Sequence, residues 1–202
     1  MEATGWGLLL LLLSLLLTRG PATVRVDMDE ANNALMGMHG YCSAELVNLI
    51  LTGQAVSNVF DGNQDLDGSL LKGVTRRCRL GLLTLFEWYK YVEVGRSLKS
   101  PELPIWVVCS ESHFTVLFSQ DRRALSGSLP FDLMYYDELA NQDDLIHLSV
   151  THDPQGGWTR RVGDSFGDRG KCEGQNIPPL ECVIETRWPG VKVSWNGSDP
   201  IL

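Results

Sequence analysis

No Cys-x-x-Cys pair occurs in this 202-residue chain, and its five cysteines, Cys42, Cys78, Cys109, Cys172 and Cys182, are odd in number and widely spread. That excludes a disulfide framework and a zinc ribbon, and fits a reducing, intracellular compartment, cytoplasmic or nuclear. A basic stripe is also lacking. Lys and Arg total 17 against 25 Asp and Glu, a formal net charge of -8, and the densest basic run is Arg76, Arg77 and Arg79. Nucleic acid is therefore not expected as a partner. The longest apolar run, Leu8 to Leu17, has ten residues, too few to span a bilayer. There is no glycine-rich phosphate loop, no carboxylate pair spaced for a two-acid hydrolase, and no internal repeat. His39, His113, His147 and His152 are too scattered to form a metal site. No cofactor and no metal are expected.

What is present can build a core. Apolar residues make up 44% of the chain, with six Trp, five Tyr and six Phe. The run Leu8–Leu17 (LLLLLLSLLL) has the length of a signal-peptide core. Its flanks disagree: Glu2 precedes it with no Lys or Arg, and Thr18-Arg19-Gly20-Pro21-Ala22 follows where a small-residue cleavage site belongs. Residues 1–23 are therefore read as a Leu-rich core segment or an artefactual start. Secretion, with the sequon Asn196-Gly197-Ser198 in use, is the minority reading.

The first half reads as helical. Ser43 caps a predicted helix from Ala44 to Leu51 that Gly53 stops, with Leu46, Leu49 and Ile50 on one apolar face. Asp61 to Gly68 is dense in Asp, Asn and Gly. It is read as a loop, because a calcium loop counted from Asp61 would meet Lys72 at its twelfth position instead of glutamate. A second helix is predicted from about Leu80 to Tyr91. The second half reads as strands: Pro104–Cys109, His113–Ser119, Phe131–Tyr136, Ile146–Thr151, Glu181–Arg187 and Val191–Trp195. In the second of these, Phe114, Val116 and Phe118 alternate with His113, Thr115 and Leu117. The aperiodic stretch Asp153 to Gly174, rich in Gly, Asp and Arg, is read as a mobile loop, with residues 153–175 as its bounds. Helices first and an antiparallel meander after them give an α+β fold, the helical half packed on the sheet.

The chemistry concentrates around His113. It opens a strand after a short polar turn, where backbone can hold an imidazole rigidly enough to act as a general base. Cys42 stands just before a capped helix, a position that favours a thiolate. Asp137 ends a strand 24 residues after His113. Cysteine, histidine and then an orienting side chain is a papain-like chain order, so Cys42, His113 and Asp137 form a candidate triad. Against this, His113 can simply begin a strand, and Cys42 can be a small buried residue under the helix. Cys78, Cys109 and Cys182 lie in or beside apolar runs and read as structural, while Cys172 falls in the loop.

The segment Gly40-Tyr41-Cys42-Ser43-Ala44-Glu45-Leu46-Val47-Asn48-Leu49-Ile50-Leu51-Thr52-Gly53-Gln54-Ala55-Val56-Ser57-Asn58-Val59-Phe60 resembles a block of the MINDY deubiquitinases. Pro104 to Phe114 (PIWVVCSESHF) is similar to that family's histidine block, and Trp195 to Leu202 (WNGSDPIL) to its C-terminal signature. Within the family the chain is most similar to the B type of the fourth subgroup, described as inactive. The resemblance implies a fragment of a papain-like cysteine protease, residues 24–202 being the C-terminal part of its catalytic domain. It implies a thiol-dependent ubiquitin carboxyl-terminal hydrolase acting on lysine-linked polyubiquitin, with His113 matching the catalytic base. The family's nucleophile lies in a Pro-Cys-Gly block with a glutamine before it, upstream of a Leu-rich segment. No such block occurs here, and Cys42 matches a different family cysteine. The chain is therefore expected to be catalytically incomplete, with ubiquitin or polyubiquitin as partner. The alternative is a non-catalytic ubiquitin-binding or regulatory module.

Overall fold

A computed structural model of the chain describes residues 5–140, 142, 144–153 and 178–200. The Leu-rich run is helical: α1 (Gly5–Arg19) is followed by α2 (Pro21–Asp27), the two meeting at 81°. Gly20, with φ 89°, and Pro21 at the first position of α2 make the break, since glycine adopts the left-handed backbone and proline is preset for a helix start. Among the described residues no single helix is long and apolar enough to cross a membrane. Leu12, Leu15 and Leu16 of α1 pack on a small core of Val24, Met28, Leu46, Leu49 and Ala55. Arg19 and Asp27 close the bend with an ion pair of 2.5 Å, and Asp27 also accepts the Ala55 backbone N–H at 3.0 Å.

The capped helix forms as predicted. In α3 (Ala44–Thr52) the Ser43 hydroxyl accepts the Leu46 N–H at 3.2 Å, and Gly53 in the left-handed conformation ends it. Its buried face differs from the predicted one. Ile50 is exposed, whereas Glu45, Asn48 and Thr52 are buried beside Leu46 and Leu49. These polar groups are tied into the loop that follows. The Asn48 side-chain amide donates to Val56 O, the Thr52 hydroxyl to Asn48 O, and the Ser57 hydroxyl to Glu45. Hydrogen bonding offsets much of the cost that would keep them at the surface, although Asn48 Oδ1 is buried without a hydrogen-bond partner.

The Asp-rich stretch is a hairpin instead of a loop: β1 (Asn63–Leu66) and β2 (Ser69–Lys72) pair antiparallel around Asp67-Gly68. Both turn residues have positive φ, 52° and 85°, which is the two-residue turn that Asp-Gly favours. Among the described residues no group of three His, Cys, Asp or Glu side chains could hold a metal ion.

The predicted helix Leu80–Tyr91 is a strand followed by a single helical turn, β3 (Gly81–Thr84) and α4 (Leu85–Trp88). A Cβ at Gly81 would collide with the Trp106 indole and the Leu98 carbonyl, so glycine is what lets this strand enter the sheet. The Thr84 hydroxyl then caps α4 by accepting the Phe86 N–H. After the short α5 (Arg96–Lys99) come β4 (Ile105–Ser110), β5 (His113–Phe118), the one-turn α6 (Arg123–Ser126), β6 (Phe131–Tyr136) and β7 (Ile146–His152). These strands fall within one residue of the predicted bounds. Glu181–Arg187, predicted as a strand, belongs to a helix, α7 (Pro179–Arg187), and β8 (Val191–Ser194) follows it. Leu180, Val183 and Ile184 are buried at helical spacing, and Pro179 stands where a helix accepts proline.

The sheet runs in the order β3-β4-β5-β6-β7-β8. β3 and β4 are parallel and every later pair is antiparallel, so the predicted meander stands with one parallel strand added at its edge. One face carries the main core. Trp106, Leu117, Leu133, Tyr135 and Leu148 pack there beneath Val183, Ile184 and Trp188. The Trp106 and Trp188 rings meet edge-on, 5.2 Å apart. On the other face Leu82 and Val107 pack with Val56, Val74, Val94 and Leu98, which joins the N-terminal elements to the sheet. The fold class is thus α+β, as expected for part of a papain-like cysteine protease. Of the predicted mobile loop 153–175, only Asp153 lies among the described residues.

Candidate functional site

His113 sits where sequence places it, at the first residue of β5. Ser110 pairs with His113 across a two-residue turn, Glu111-Ser112, in which Glu111 is left-handed with φ 55°. A non-glycine residue pays roughly 1–2 kcal/mol for that conformation, so the paired strands hold the turn, and with it the imidazole. Side chains alternate across a strand. His113 therefore shares its face with Thr115 and Leu117, both buried, while Phe114 on the reverse face is exposed.

β6 brings Asp137 to the same place. Val116 pairs with Tyr136 and Leu117 with Tyr135, so Asp137, the next residue on the core-facing side, lies beside the start of β5. His113 Nε2 and Asp137 Oδ2 are 2.8 Å apart. The imidazole is part-exposed at 29% and the carboxylate nearly closed off at 4%. Asp137 is held from three directions. Its Oδ2 faces His113, its Oδ1 accepts the Leu139 N–H at 2.9 Å, and its own N–H donates to Gln142 Oε1 at 2.6 Å. Beneath it Tyr135 is buried, and burial pushes its phenol above the usual range.

This geometry fixes the chemistry of the ring. A carboxylate at Nε2 favours the tautomer with the proton on Nε2, leaving the Nδ1 lone pair as the proton acceptor.

The third candidate is not brought to this pair. Cys42 is exposed, one residue before the Ser43 cap, and bridges Met36 in the N-terminal elements. It is therefore not the buried residue that the alternative reading expected. Among the described residues no hydrogen bond joins Cys42 to His113 or Asp137. Cys78 and Cys182 are buried, and Cys109 is half-buried on β4. Burial pushes the thiols of Cys78 and Cys109 upward, away from the thiolate a nucleophile needs. Cys172 lies outside the described residues.

The match to known proteins covers both the Leu-rich helix and the His113 hairpin: the family described as "Deubiquitinating enzyme MINDY-3/4, conserved domain" matches residues 1–197. The chain belongs to the MINDY-3/4 family. It is 47% identical over 209 residues to the Bos taurus "Probable ubiquitin carboxyl-terminal hydrolase MINDY-4" and 44% identical over 209 residues to the Homo sapiens protein of that name, with all of this chain aligned in both. It is 43% identical over 126 residues to the Mus musculus "Ubiquitin carboxyl-terminal hydrolase MINDY-3", covering 62% of this chain and 28% of that protein. The chain spans about a quarter of the length of the MINDY-4 relatives, 26% in each. No solved structure matches it.

Sequence reasoning missed the residues that fix Asp137 in this MINDY chain. The Leu139 bond is an Asx turn, for which Asp137 directly after a strand is a weak local signal. Nothing in the spacing marked Gln142, because its contact forms only when the chain folds back on itself.

Proposed function

We propose that this chain carries the base-bearing part of a cysteine-type ubiquitin carboxyl-terminal hydrolase. His113 acts as general base through Nδ1, Asp137 orients it, and ubiquitin or lysine-linked polyubiquitin is the partner. The observation that carries the reading is the 2.8 Å His113–Asp137 pair, built on a rigid hairpin. A thiol nucleophile needs a base fixed in this way. The names of the MINDY-3 and MINDY-4 relatives supply the substrate class.

As it stands, the chain is read as catalytically incomplete. Among the described residues, Cys42, Cys78 and Cys109 make no hydrogen bond to His113, and without a nucleophile the covalent step is lost. An activity-based ubiquitin-propargylamide probe, which reacts with active-site thiols, tests this. The expected result is no labelling of the wild-type chain. Labelling that disappears in Cys42→Ala would overturn the reading and restore Cys42 as the nucleophile.

The second reading is a non-catalytic ubiquitin-binding or regulatory module. Phe114 and Tyr136, 43% and 37% exposed on the sheet face opposite His113, favour it as an apolar contact surface. Titration with diubiquitin tests it, and binding no tighter than to an unrelated control protein removes it. An intracellular location accords with the free thiols of Cys42, Cys78 and Cys109. It also accords with Asn196, whose side-chain nitrogen, the glycan-accepting atom of the sequon, donates to His147 O and Ser149 Oγ.

A further inference from the structure

We propose that Gln142 is the positioning residue of the His113–Asp137 pair, setting the height and rotation of Asp137 through the backbone. This rests on the reading of that pair as a base and its orienter. The β5–β6 ladder pairs residues only as far as Val116 and Tyr136. Asp137 is therefore the first residue beyond the ladder, and the sheet offers its N–H no partner. A nearly buried N–H cannot be left unpaired cheaply. The acceptor is the Gln142 side chain, reaching back across the short helical turn Glu138–Ala140 to bond at 2.6 Å.

Each remaining polar atom of Asp137 then has one place to go. The Leu139 N–H occupies Oδ1, which turns Oδ2 toward His113 Nε2. With the backbone N–H also held, neither a peptide rotation nor a carboxylate flip is open without breaking a bond. If Gln142 only closed a surface loop, its loss would loosen residues 138–142 and leave the pair intact. The bond runs to Asp137 itself, so its loss frees the residue that holds the imidazole. The other end of Gln142 is consistent with a demanding placement. Its Nε2 is buried without a hydrogen-bond partner, a cost that persists only where the surrounding bonds over-determine the side chain.

The test reads the His113 Nε2–H directly, by NMR of the 15N-labelled full chain. The wild-type protein should show a slowly exchanging imidazole N–H that vanishes in His113→Gln. In Gln142→Met, which keeps the side-chain volume and removes the amide acceptor, exchange of that proton should quicken about tenfold, the factor for loss of one hydrogen bond. Gln142→Glu keeps the acceptor oxygen and should keep the slow exchange. Gln142→Ala replaces Gln142→Met if the latter fails to fold. A wild-type-like exchange rate in folded Gln142→Met or Gln142→Ala overturns the proposal while leaving the His113–Asp137 pair standing. Absence of a protected N–H in the wild-type protein overturns the pair itself, and Gln142 with it.

Discussion

The six-stranded sheet and the Leu-rich helix contain residues of the same apolar kind, yet the fold treats them in opposite ways. Trp106, Leu117, Leu133 and Leu148 of the sheet are each 0% exposed, closed off by α6 and α7. In α1, Leu12, Leu15 and Leu16 face a core, while Leu10, Leu13 and Leu17 are 63%, 45% and 72% exposed. The sheet is a finished scaffold, and it is the part that carries His113 and Asp137. The helix is bound on one side only. Apolar character alone therefore does not define a core; closure by a second layer does.

The comparison breaks most readily at Trp106. Its ring is fully buried, meets Trp188 edge-on and donates from Nε1 to Lys99 O at 3.0 Å. Trp106→Ala should cost about 3–5 kcal/mol, measured by urea denaturation. If Leu10→Ala in α1 costs as much, the distinction between the two regions fails.

These two regions also differ in how legible they were. The strands from β4 to β7 were read to within a residue, because alternation and flanking turn residues are local signals. The His113 turn belongs to the same class. The errors came where a distant contact decided the outcome. Gly81 to Thr84 has helical spacing but becomes a strand because Trp106 fits only against a glycine. Glu181 to Arg187 reads as a strand because Val183, Ile184 and Thr186 are β-branched, and the docking of α7 on the sheet decides for a helix. Asp137 could be named as a candidate partner for His113 from its place after a strand, and the 2.8 Å contact brings the two together. The Gln142 clasp could not, since only the folded turn brings the two together.

The join between the regions gives the next effect in size. Asp27 holds Arg19 through both carboxylate oxygens and accepts the Ala55 N–H, so it links α1, α2 and the segment after α3. Asp27→Ala removes a charged partner and leaves a backbone N–H unpaired, at a cost of about 2 kcal/mol. Hydrogen exchange should rise in α1 and α2 and stay unchanged in β4 and β5. A uniform rise across the sheet would show that the two regions unfold as one unit.

A smaller effect sharpens how the sheet is closed. Burial raises the Glu181 carboxyl even though the Trp195 indole N–H, 2.7 Å away, opposes the shift. Burial likewise raises Glu185, against a hydrogen bond from Gly190. A carboxyl raised in the folded state binds its proton more tightly there than in the unfolded chain. Its protonated form favours folding, and stability falls as pH rises from the ordinary glutamate range through the raised values. Glu181→Gln keeps an acceptor for Trp195 and cannot ionise. It should stabilise the protein at neutral pH and reduce the slope of stability against pH. Glu185 contributes to the slope that remains. An unchanged slope would mean that Glu181 ionises in the folded protein as freely as in water.

The smallest change in stability should come with a clear change in behaviour. Trp6, Leu10, Leu13 and Leu17 recur at intervals of four, three and four residues, so they form one stripe along α1, facing away from Leu12 and Leu16. Replacing Leu10 and Leu17 with Lys removes two exposed apolar side chains and no packed one. Each substitution should alter stability by no more than about 0.5 kcal/mol. Helix propensity gives no reason for more, since Lys and Leu are nearly equal formers. A stripe of this kind in water drives self-association, and the double variant should sediment with less of it than the wild-type chain at the same concentration. If the double variant unfolds instead, the outer stripe of α1 is packed as firmly as the sheet, and the contrast between the two regions disappears.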